Sequence, residues 1–389
     1  MKMQTVPLCE LGEIVSGSTP KTGVPQYWDG DIPWITPADL SNHEGIYFHG
    51  TPKRISKAGF DSCSTAMLPA GSILFSSRAP IGHCALTAYP ACTNQGFKNI
   101  VPNQRLDPVY GYFALKFLTP AIVAMGRGAT FAEINKELFE SVQVPYCDWP
   151  EQRRIAGRLE QADRLRRTRR YALELTDTFL PAAFLELFGD PITNPLGLPV
   201  TELGDFLSFV TSGSRGWADY YVPEGGRFIR SLDVRMNNIS DEDAVFVKPP
   251  SGAEADRTRV KPADVLLTIT GSRIGRVAPV PERLNGAFIS QHVAILRLKA
   301  GLLPEFLSMF LSLDTGGQRE IACLQYGQTK PGLNLDQIRE LRVPVPHLSR
   351  QRQFLELAKR VERLRAVQRE ALRQAVHLFS SLLHRAFSG

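Results

Sequence analysis

The 389-residue chain contains no run of about 18 consecutive apolar residues, which argues against a membrane-spanning helix and against a membrane as partner. Its opening, MKMQTVPLCELGE, has no apolar stretch of the kind a secretory signal needs, and Leu8-Cys9 alone is not a lipidation signal. Cysteine is scarce. The six are Cys9, Cys63, Cys84, Cys92, Cys147 and Cys323, and none forms a Cys-x-x-Cys pair. The seven histidines do not cluster beside them at ligand spacing, so a zinc site is not expected. Unpaired cysteines in this number read as reduced thiols of a cytoplasmic protein.

Catalytic signatures are missing too. Asp107-Pro108-Val109-Tyr110 matches the Asp/Asn-Pro-Pro-Tyr loop of amino-methyltransferases only in part, since the second proline and any Gly-rich cofactor loop upstream are absent. It reads instead as a helix start with Pro108 in the first turn. Gly271-Ser272-Arg273-Ile274-Gly275-Arg276 is too short for a phosphate-binding loop and has no Lys-Ser/Thr. Asp233 and Asp241-Glu242-Asp243 have no partner carboxylate and lysine to complete a metal-dependent nuclease site. No Ser/His/Asp set stands out. A chain that binds rather than catalyses is expected, with no catalytic, cofactor-binding or metal-ligating residue of its own. A methyltransferase or nuclease with its own active site, and a coiled-coil adaptor that binds only proteins, stay open as alternatives.

What the chain does have is itself, twice. Leu11-Gly12-Glu13-Ile14 and Ser16-Gly17-Ser18 return about 196 residues later as Leu203-Gly204-Asp205-Phe206 and Ser212-Gly213-Ser214. Pro69-Ala70, Ile73-Leu74 and Ile81-Gly82 return as Pro262-Ala263, Leu266-Leu267 and Ile274-Gly275. Gly128-x-Thr130, Asn135 and Gln152-Arg153 return as Gly327-x-Thr329, Asn334 and Gln351-Arg352 at a constant offset of 199. A repeat this long means duplicated domains rather than a solenoid. Two copies in one chain can imitate a two-fold dimer, which suits a target with two half-sites.

Each copy has two parts. The first is rich in Gly and Pro, with short apolar runs. Ser72–Phe75, Asp264–Ile269, Val142–Val144 and Leu341–Val343 read as strands, the last two stopped by a proline. Pro108–Leu118 and Leu303–Leu313 read as helices. The second part steps its apolar residues by three and four: Ile155, Leu159, Ala162, Leu165, Ala172, Leu175 and Phe179, then Phe354, Leu357, Val361, Leu364, Ala371, Ala375, Leu378 and Leu382. This is the narrow stripe of a helix that pairs with another. Each such helix of roughly 35 residues is ~50 Å long, about fifteen base pairs of DNA. Gly189, Pro191 and Pro195 end the first. The formal charge is +6, yet Glu151–Arg170 and Arg350–Arg373 carry +5 each, so the remainder is net acidic. A duplicated basic stripe fits phosphate contact, although one stripe alone is more often a solvated helix face.

Four passages resemble one known family. They are Leu11-Gly12-Glu13-Ile14-Val15-Ser16-Gly17-Ser18-Thr19-Pro20, Gly30 to Leu40 (GDIPWITPADL), Asn135-Lys136 with Leu138 ahead of Val144-Pro145 and Glu151-Gln152-Arg153-Arg154-Ile155, and Leu187-Phe188-Gly189-Asp190-Pro191. In that order, and with the duplication, the chain is similar to the specificity subunit of type I restriction-modification enzymes over essentially its whole length. The resemblance implies an α+β fold with two pseudo-two-fold-related target-recognition domains separated by an antiparallel pair of long helices, a coiled coil. The expected divisions are 1–149 (first recognition domain), 150–188 (first helix), 189–199 (linker), 200–348 (second recognition domain) and 349–388 (second helix). It implies double-stranded DNA as ligand and two methyltransferase subunits and restriction/translocase subunits as partners. S-adenosylmethionine, ATP and magnesium are expected in those partners. The second copy departs from the pattern, with Phe228-Ile229-Arg230 against Trp34-Ile35-Thr36 and Ser349-Arg350-Gln351 against Pro150-Glu151-Gln152. Such divergence fits unlike half-sites.

Candidate DNA-contacting residues are polar and follow expected strands. In the first copy they are Ser76, Ser77, Arg78, Asn94, Gln95, Thr130 and Lys136. In the second they are Thr270, Ser272, Arg273, Gln291, His292, Gln328, Thr329 and Lys330. Arg suits guanine, Asn and Gln suit adenine, and Ser, Thr and Lys more often hold phosphate or satisfy local backbone. Gln95 and Gln291 recur, which argues for a shared structural or phosphate role. Arg78 stands against Gly271, and residues that differ are the better candidates for specificity. Trp34 and Phe97 read as core rather than as base-stacking surfaces.

Overall fold

In a computed structural model of the chain, the structure describes residues 4–126, 133–325 and 332–388. Two compact units divide it: Met1–Ala172 with Gln368–Gly389, and Leu173–Val367. Each mixes helix and sheet, as an α+β fold requires. Two 40-residue helices, Trp149–Phe188 and Leu348–Phe387, contribute to both units.

In the first unit a five-stranded sheet runs in the order Gly12–Ser16, Lys98–Pro102, Ile73–Phe75, Cys84–Thr87, Tyr47–Phe48. It is antiparallel except for the last pair. A three-stranded sheet joins Arg54–Ile55, Trp28–Ile35 and Cys92–Thr93. Gln4–Pro7 pairs with Gln143–Tyr146, Thr5 facing Pro145. Pro145 therefore lies inside its strand rather than after it, and so does Pro344 in Arg342–Pro344. A two-stranded edge pair tolerates a residue without an N–H.

The helix Pro108–Met125 is long and apolar enough to cross a membrane by length and composition, although Lys116, Thr119 and Pro120 interrupt its apolar residues. Its Tyr110, Tyr112, Phe113, Leu115 and Ile122 are buried in the core of the first unit, and its apolarity serves that packing. Asp107 caps it, its carboxylate accepting from the Tyr110 N–H at 2.9 Å with Pro108 in the first turn, the arrangement expected of a helix start.

The second unit repeats the plan. Leu207–Ser212, Val293–Leu298, Val265–Thr268 and Val277–Pro279 form an antiparallel sheet in that order. Val200–Glu202 pairs with Arg342–Pro344. A further sheet runs Tyr221–Val222, Val245–Val247, Gly226–Ile229, Phe288–Ile289. Its loop Arg230–Asp233 reproduces Thr36–Asp39: the Arg230 N–H donates to the Asp233 carboxylate at 2.9 Å, as Thr36 does to Asp39 at 2.7 Å.

Repeated letters hold repeated joints. Gln152 is fully buried, its carbonyl oxygen accepting from the Asp107 N–H and its amide donating to the Arg105 and Cys147 carbonyls, at 2.8–2.9 Å. Gln351 does the same with Leu303 N–H and the Gly301 and Pro346 carbonyls at 2.8–2.9 Å. Each glutamine locks the start of a long helix to its globular unit. Asn135 and Asn334 cap the short helices Lys136–Glu140 and Leu335–Glu340.

The expected apolar stripes hold only in part. Ile155, Leu159 and Ala162 are buried with Phe379 and Phe387 in the first unit, but Leu165, Leu175 and Phe179 are exposed. Burial passes to Leu180, Phe184 and Phe188, which pack with Phe354 and Val361 in the second unit. Leu364 and Leu378 are likewise exposed. A helix of 3.6 residues per turn drifts about 20° per heptad against a 3.5 repeat, so one stripe does not keep one face inward over forty residues. Within the second unit the two helices run antiparallel. Phe184 and Phe188 meet Phe354, while eight residues earlier Arg365 reaches Thr176 and Asp177.

Candidate nucleic-acid interface

Each unit brings three loops together through backbone bonds that match one for one. In the first, Gly17 N–H donates to Phe97 C=O at 3.4 Å and Ser18 N–H to Thr93 C=O at 3.0 Å. In the second, Gly213 N–H donates to Val293 C=O at 3.0 Å and Ser214 N–H to Ile289 C=O at 3.2 Å. The approach is so close that a Cβ on Gly17 would overlap the Asn94 carbonyl, and one on Gly213 the Ile289 and Ser290 carbonyls. That is the physical reason for the repeated Ser-Gly-Ser. The third loop docks through Ser77 N–H to Gly96 C=O at 2.8 Å and through Ile269 N–H to His292 C=O at 2.9 Å. Arg78 bridges Glu133, and Thr270 bridges Gly332. The backbone therefore sets Arg78 against Thr270, not against Gly271 as sequence alignment had it. One extra residue lies between this point and the shared Gly82/Gly275.

In the first unit, the Thr19 hydroxyl donates to the side-chain carbonyl of exposed Gln95. Trp34, buried and edge-on to Trp28, donates its indole N–H to Ser18 C=O at 3.0 Å and so fixes that loop. Asn94 turns its carbonyl inward to the Gly96 N–H at 2.9 Å. Exposed Arg78 pairs with Glu133 at 3.0 Å. Beneath them Lys98 is buried, which lowers its pKa; Glu133 opposes that shift and Arg78 adds to it. Ser76 and Ser77 are fully buried and do not face a ligand. Ser76 accepts from the His83 N–H and donates to Pro80 C=O, and Ser77 donates to Gly96 C=O. Their hydroxyls are spent on the loop itself, as short polar side chains in turns commonly are. Lys136 is exposed, 3.7 Å from Glu140, at the start of its short helix. Thr130 lies outside the described residues. Phe97 is fully buried, a core residue.

In the second unit, four side chains form a chain. Arg215 donates from Nε to the Gln291 carbonyl oxygen at 2.7 Å, Gln291 Nε2 lies 3.1 Å from His292 Nε2, and His292 Nδ1 lies 2.5 Å from the Thr270 hydroxyl. Ser272 is exposed, and Arg273 donates to Leu232 C=O at 3.1 Å. Gln328, Thr329 and Lys330 lie outside the described residues. Thr19 and Arg215 were missed from sequence. The available signal was their place, one residue after the repeated Ser-Gly-Ser.

The basic stripes are paired in part and keep a net positive charge. Arg154 pairs with Glu151, Arg164 with Glu160, Arg166 and Arg167 with fully buried Asp163, and Arg170 with Glu44. Lys359, Arg365 and Arg373 are paired along the second helix. Asp233, for which the sequence offers no partner in metal chemistry, is buried against Arg227 and Arg230. Among the described residues no group of three or more His, Cys, Asp or Glu is placed to hold a metal ion.

A family model described as the type I restriction modification DNA specificity domain matches residues 1–175 and 236–375. The chain is 36% identical over 291 residues to the type I restriction enzyme MjaIX specificity subunit of Methanocaldococcus jannaschii, covering 65% of this chain and 67% of that protein. The solved S subunit of the type I restriction-modification system from M. genitalium matches 100% of this chain with 96% of its own, at a TM-score of 0.60 and 15% identity. A chain from a structure concerned with complex assembly and conformational transition of the type I R-M system gives a TM-score of 0.61 at 18% identity, covering 99% of this chain and 97% of that one. At those identities the structural likeness speaks for the fold alone.

Proposed function

The chain belongs to the type I restriction modification DNA specificity family, and from that premise we propose how this member works. It is a non-catalytic specificity subunit with two recognition domains, reading a bipartite, gapped double-stranded DNA target. The carrying observation is the pair of matched loop clusters, whose backbone bonds agree while the exposed side chains on them differ. Residues 1–149 and 200–348 act as the reading domains, 150–188 and 349–388 as spacer helices, and 189–199 as the linker. Of the candidate residues, Arg78, Asn94, Gln95, Lys136, Thr270, Ser272, Arg273, Gln291 and His292 carry the recognition surface; Thr130, Gln328, Thr329 and Lys330, outside the described residues, are proposed DNA contacts on their sequence alone.

Two methyltransferase subunits dock on the helices and bring S-adenosylmethionine. Restriction/translocase subunits join them with ATP and magnesium, and the assembly works in the cytoplasm. An open apolar cleft supports this docking. It lies on the helices in the second unit, lined by Leu175, Thr176, Phe179, Leu357, Arg360, Val361 and Leu364, with a volume near 330 Å³. Exposed apolar surface of this kind marks interaction sites.

The test is selection of gapped duplexes from random DNA by the assembled complex. Wild type selects two half-sites at a fixed separation, and deleting one heptad from each long helix shortens the preferred gap. An unchanged gap counts against the spacer. Turnover of DNA by the purified chain alone, given magnesium and S-adenosylmethionine, would overturn the non-catalytic assignment.

A further inference from the structure

We propose that four backbone-equivalent positions in each unit together decide how its half-site is read: Thr19, Gln95, Gly96 and Arg78 in the first, Arg215, Gln291, His292 and Thr270 in the second. The shared glutamine does different work in the two. Arg215 grips guanine in the second half-site, and Gln95 grips adenine in the first. This inference rests on the DNA-reading function above and deepens it.

The hydrogen-bond chain in the second unit has one consistent proton assignment. The Arg215 Nε–H must donate, so Gln291 presents its carbonyl to Arg215 and its NH₂ to His292. His292 Nε2 then accepts, which leaves the proton on Nδ1 to donate to the Thr270 hydroxyl oxygen. Each end of the Gln291 amide carries one bond, to Arg215 and to His292, and keeps one lone pair and one N–H. Held from both sides, where Gln95 is held only by Thr19, Gln291 acts as a positioning residue. It holds the arginine by Nε, and the exposed guanidinium keeps two Nη groups that have no partner among the described residues. Two parallel N–H donors on a fixed plane match guanine O6 and N7.

The first unit lacks the chain. Gly96 stands where His292 does and supplies no side chain to Gln95. The Gln95 carbonyl accepts one hydrogen bond, from Thr19, which leaves a lone pair, and its NH₂ has no partner among the described residues. Both ends of this amide are open to an adenine edge, and the Thr19 bond fixes which end is which. Arg78 is tied to Glu133 through Nε at 3.0 Å, on the loop that Thr270 occupies in the second unit. The two units thus share a glutamine and place their arginines at different ones of the four positions.

The experiment uses the full chain assembled with its methyltransferase partner, and reads base preference at each position by selection from random gapped duplexes. Arg215→Ala is expected to cost about 10- to 100-fold in the preference for one guanine in one half-site, with the other half-site unchanged. Arg215→Lys, which keeps the charge but loses the fork, is expected to lose the same preference. Gln291→Ala should relax it without lowering the melting temperature, a separation that a merely structural glutamine would not produce. Gln95→Ala should relax an adenine in the opposite half-site. If Arg215→Ala weakens all sequences alike and Arg215→Lys restores binding, Arg215 is a phosphate contact and the inference falls while the functional reading stands. If the wild-type complex selects no gapped motif at all, the functional reading fails and takes this inference with it.

Discussion

Gly17 and Gly213 show how much one missing methyl group decides. Each lies against a neighbouring loop's carbonyls with no room for a Cβ. Gly17→Ala and Gly213→Ala must push two loops apart, at a cost of about 1–3 kcal/mol, whereas Gly23→Ala, which meets open space, should leave the melting temperature unchanged. Equal stability of all three would refute the close packing. The thiols make a second residue-scale prediction. Burial pushes Cys84 up to about 12 and Cys92 up to about 11, and a raised pKa means less thiolate, the reactive form, at pH 8. Iodoacetamide at pH 8 should label exposed Cys9 and Cys323 and spare Cys84 and Cys92 until denaturant is added; mass spectrometry of the alkylated peptides reads the difference. At this scale the sequence revealed the site unevenly. Gln95, Gln291, His292 and Arg78 could be picked as polar residues after strands. The burial of Ser76 and Ser77 could not, because a serine that serves its own loop and one that faces a ligand are spelled alike. Arg215 escaped because its hydrogen bond to Gln291, 76 residues away, leaves no mark in the sequence.

At the scale of elements, the long helices are held by a few residues while much of their surface stays open. Gln152→Ala strands one buried N–H and two carbonyls, and a loss of about 1–3 kcal/mol follows from unsatisfied buried groups. Gln351→Ala should match it, since its three bonds are the same in kind. Chemical denaturation of both variants beside an exposed control, Gln161→Ala, checks this. Phe184 and Phe179 separate packing from docking on one helix. Phe184 is fully buried against Phe188, Phe306 and Phe354, so Phe184→Ala should cost about 3–5 kcal/mol. Phe179 is half exposed in the apolar cleft. Phe179→Ala should barely change stability yet reduce co-purification with the methyltransferase, and unreduced co-purification would remove the cleft from the docking surface. Helix existence was plain from periodicity, and the strand cores at Ile73–Phe75 and Val265–Thr268 from their apolar runs. The inward face along the helices was not, since the stripe drifts and an exposed Phe179 reads like a buried Phe184 until a partner helix chooses between them.

For the whole molecule, the duplication defines what can be exchanged. The compact units cut both long helices, so a graft at Ala172/Leu173 breaks a continuous helix and separates apolar residues from the core they fill. The recurring joints lie elsewhere. The strand pairs Gln4–Pro7 with Gln143–Tyr146 and Val200–Glu202 with Arg342–Pro344 close each globular part at its base. The clamping glutamines Gln152 and Gln351 then fasten it to its helix through equivalent carbonyls. Among the described residues the backbone hydrogen bonds of each globular part stay within it or at these joints, and its core packs on the long helices through residues such as Tyr110, Phe113 and Phe306, so a graft must keep both helices in place. Replacing residues 200–348 by a second copy of 1–149 should therefore give a folded chain that reads one half-site twice. In a host carrying the matching methyltransferase, the methylated genomic motif should change from two unlike half-sites to two copies of the same one, with the gap kept, because both helices are untouched. Persistence of the displaced half-site in the methylated motif would mean that sequence is read by the helices or the partners, and that the matched loop clusters serve only the fold.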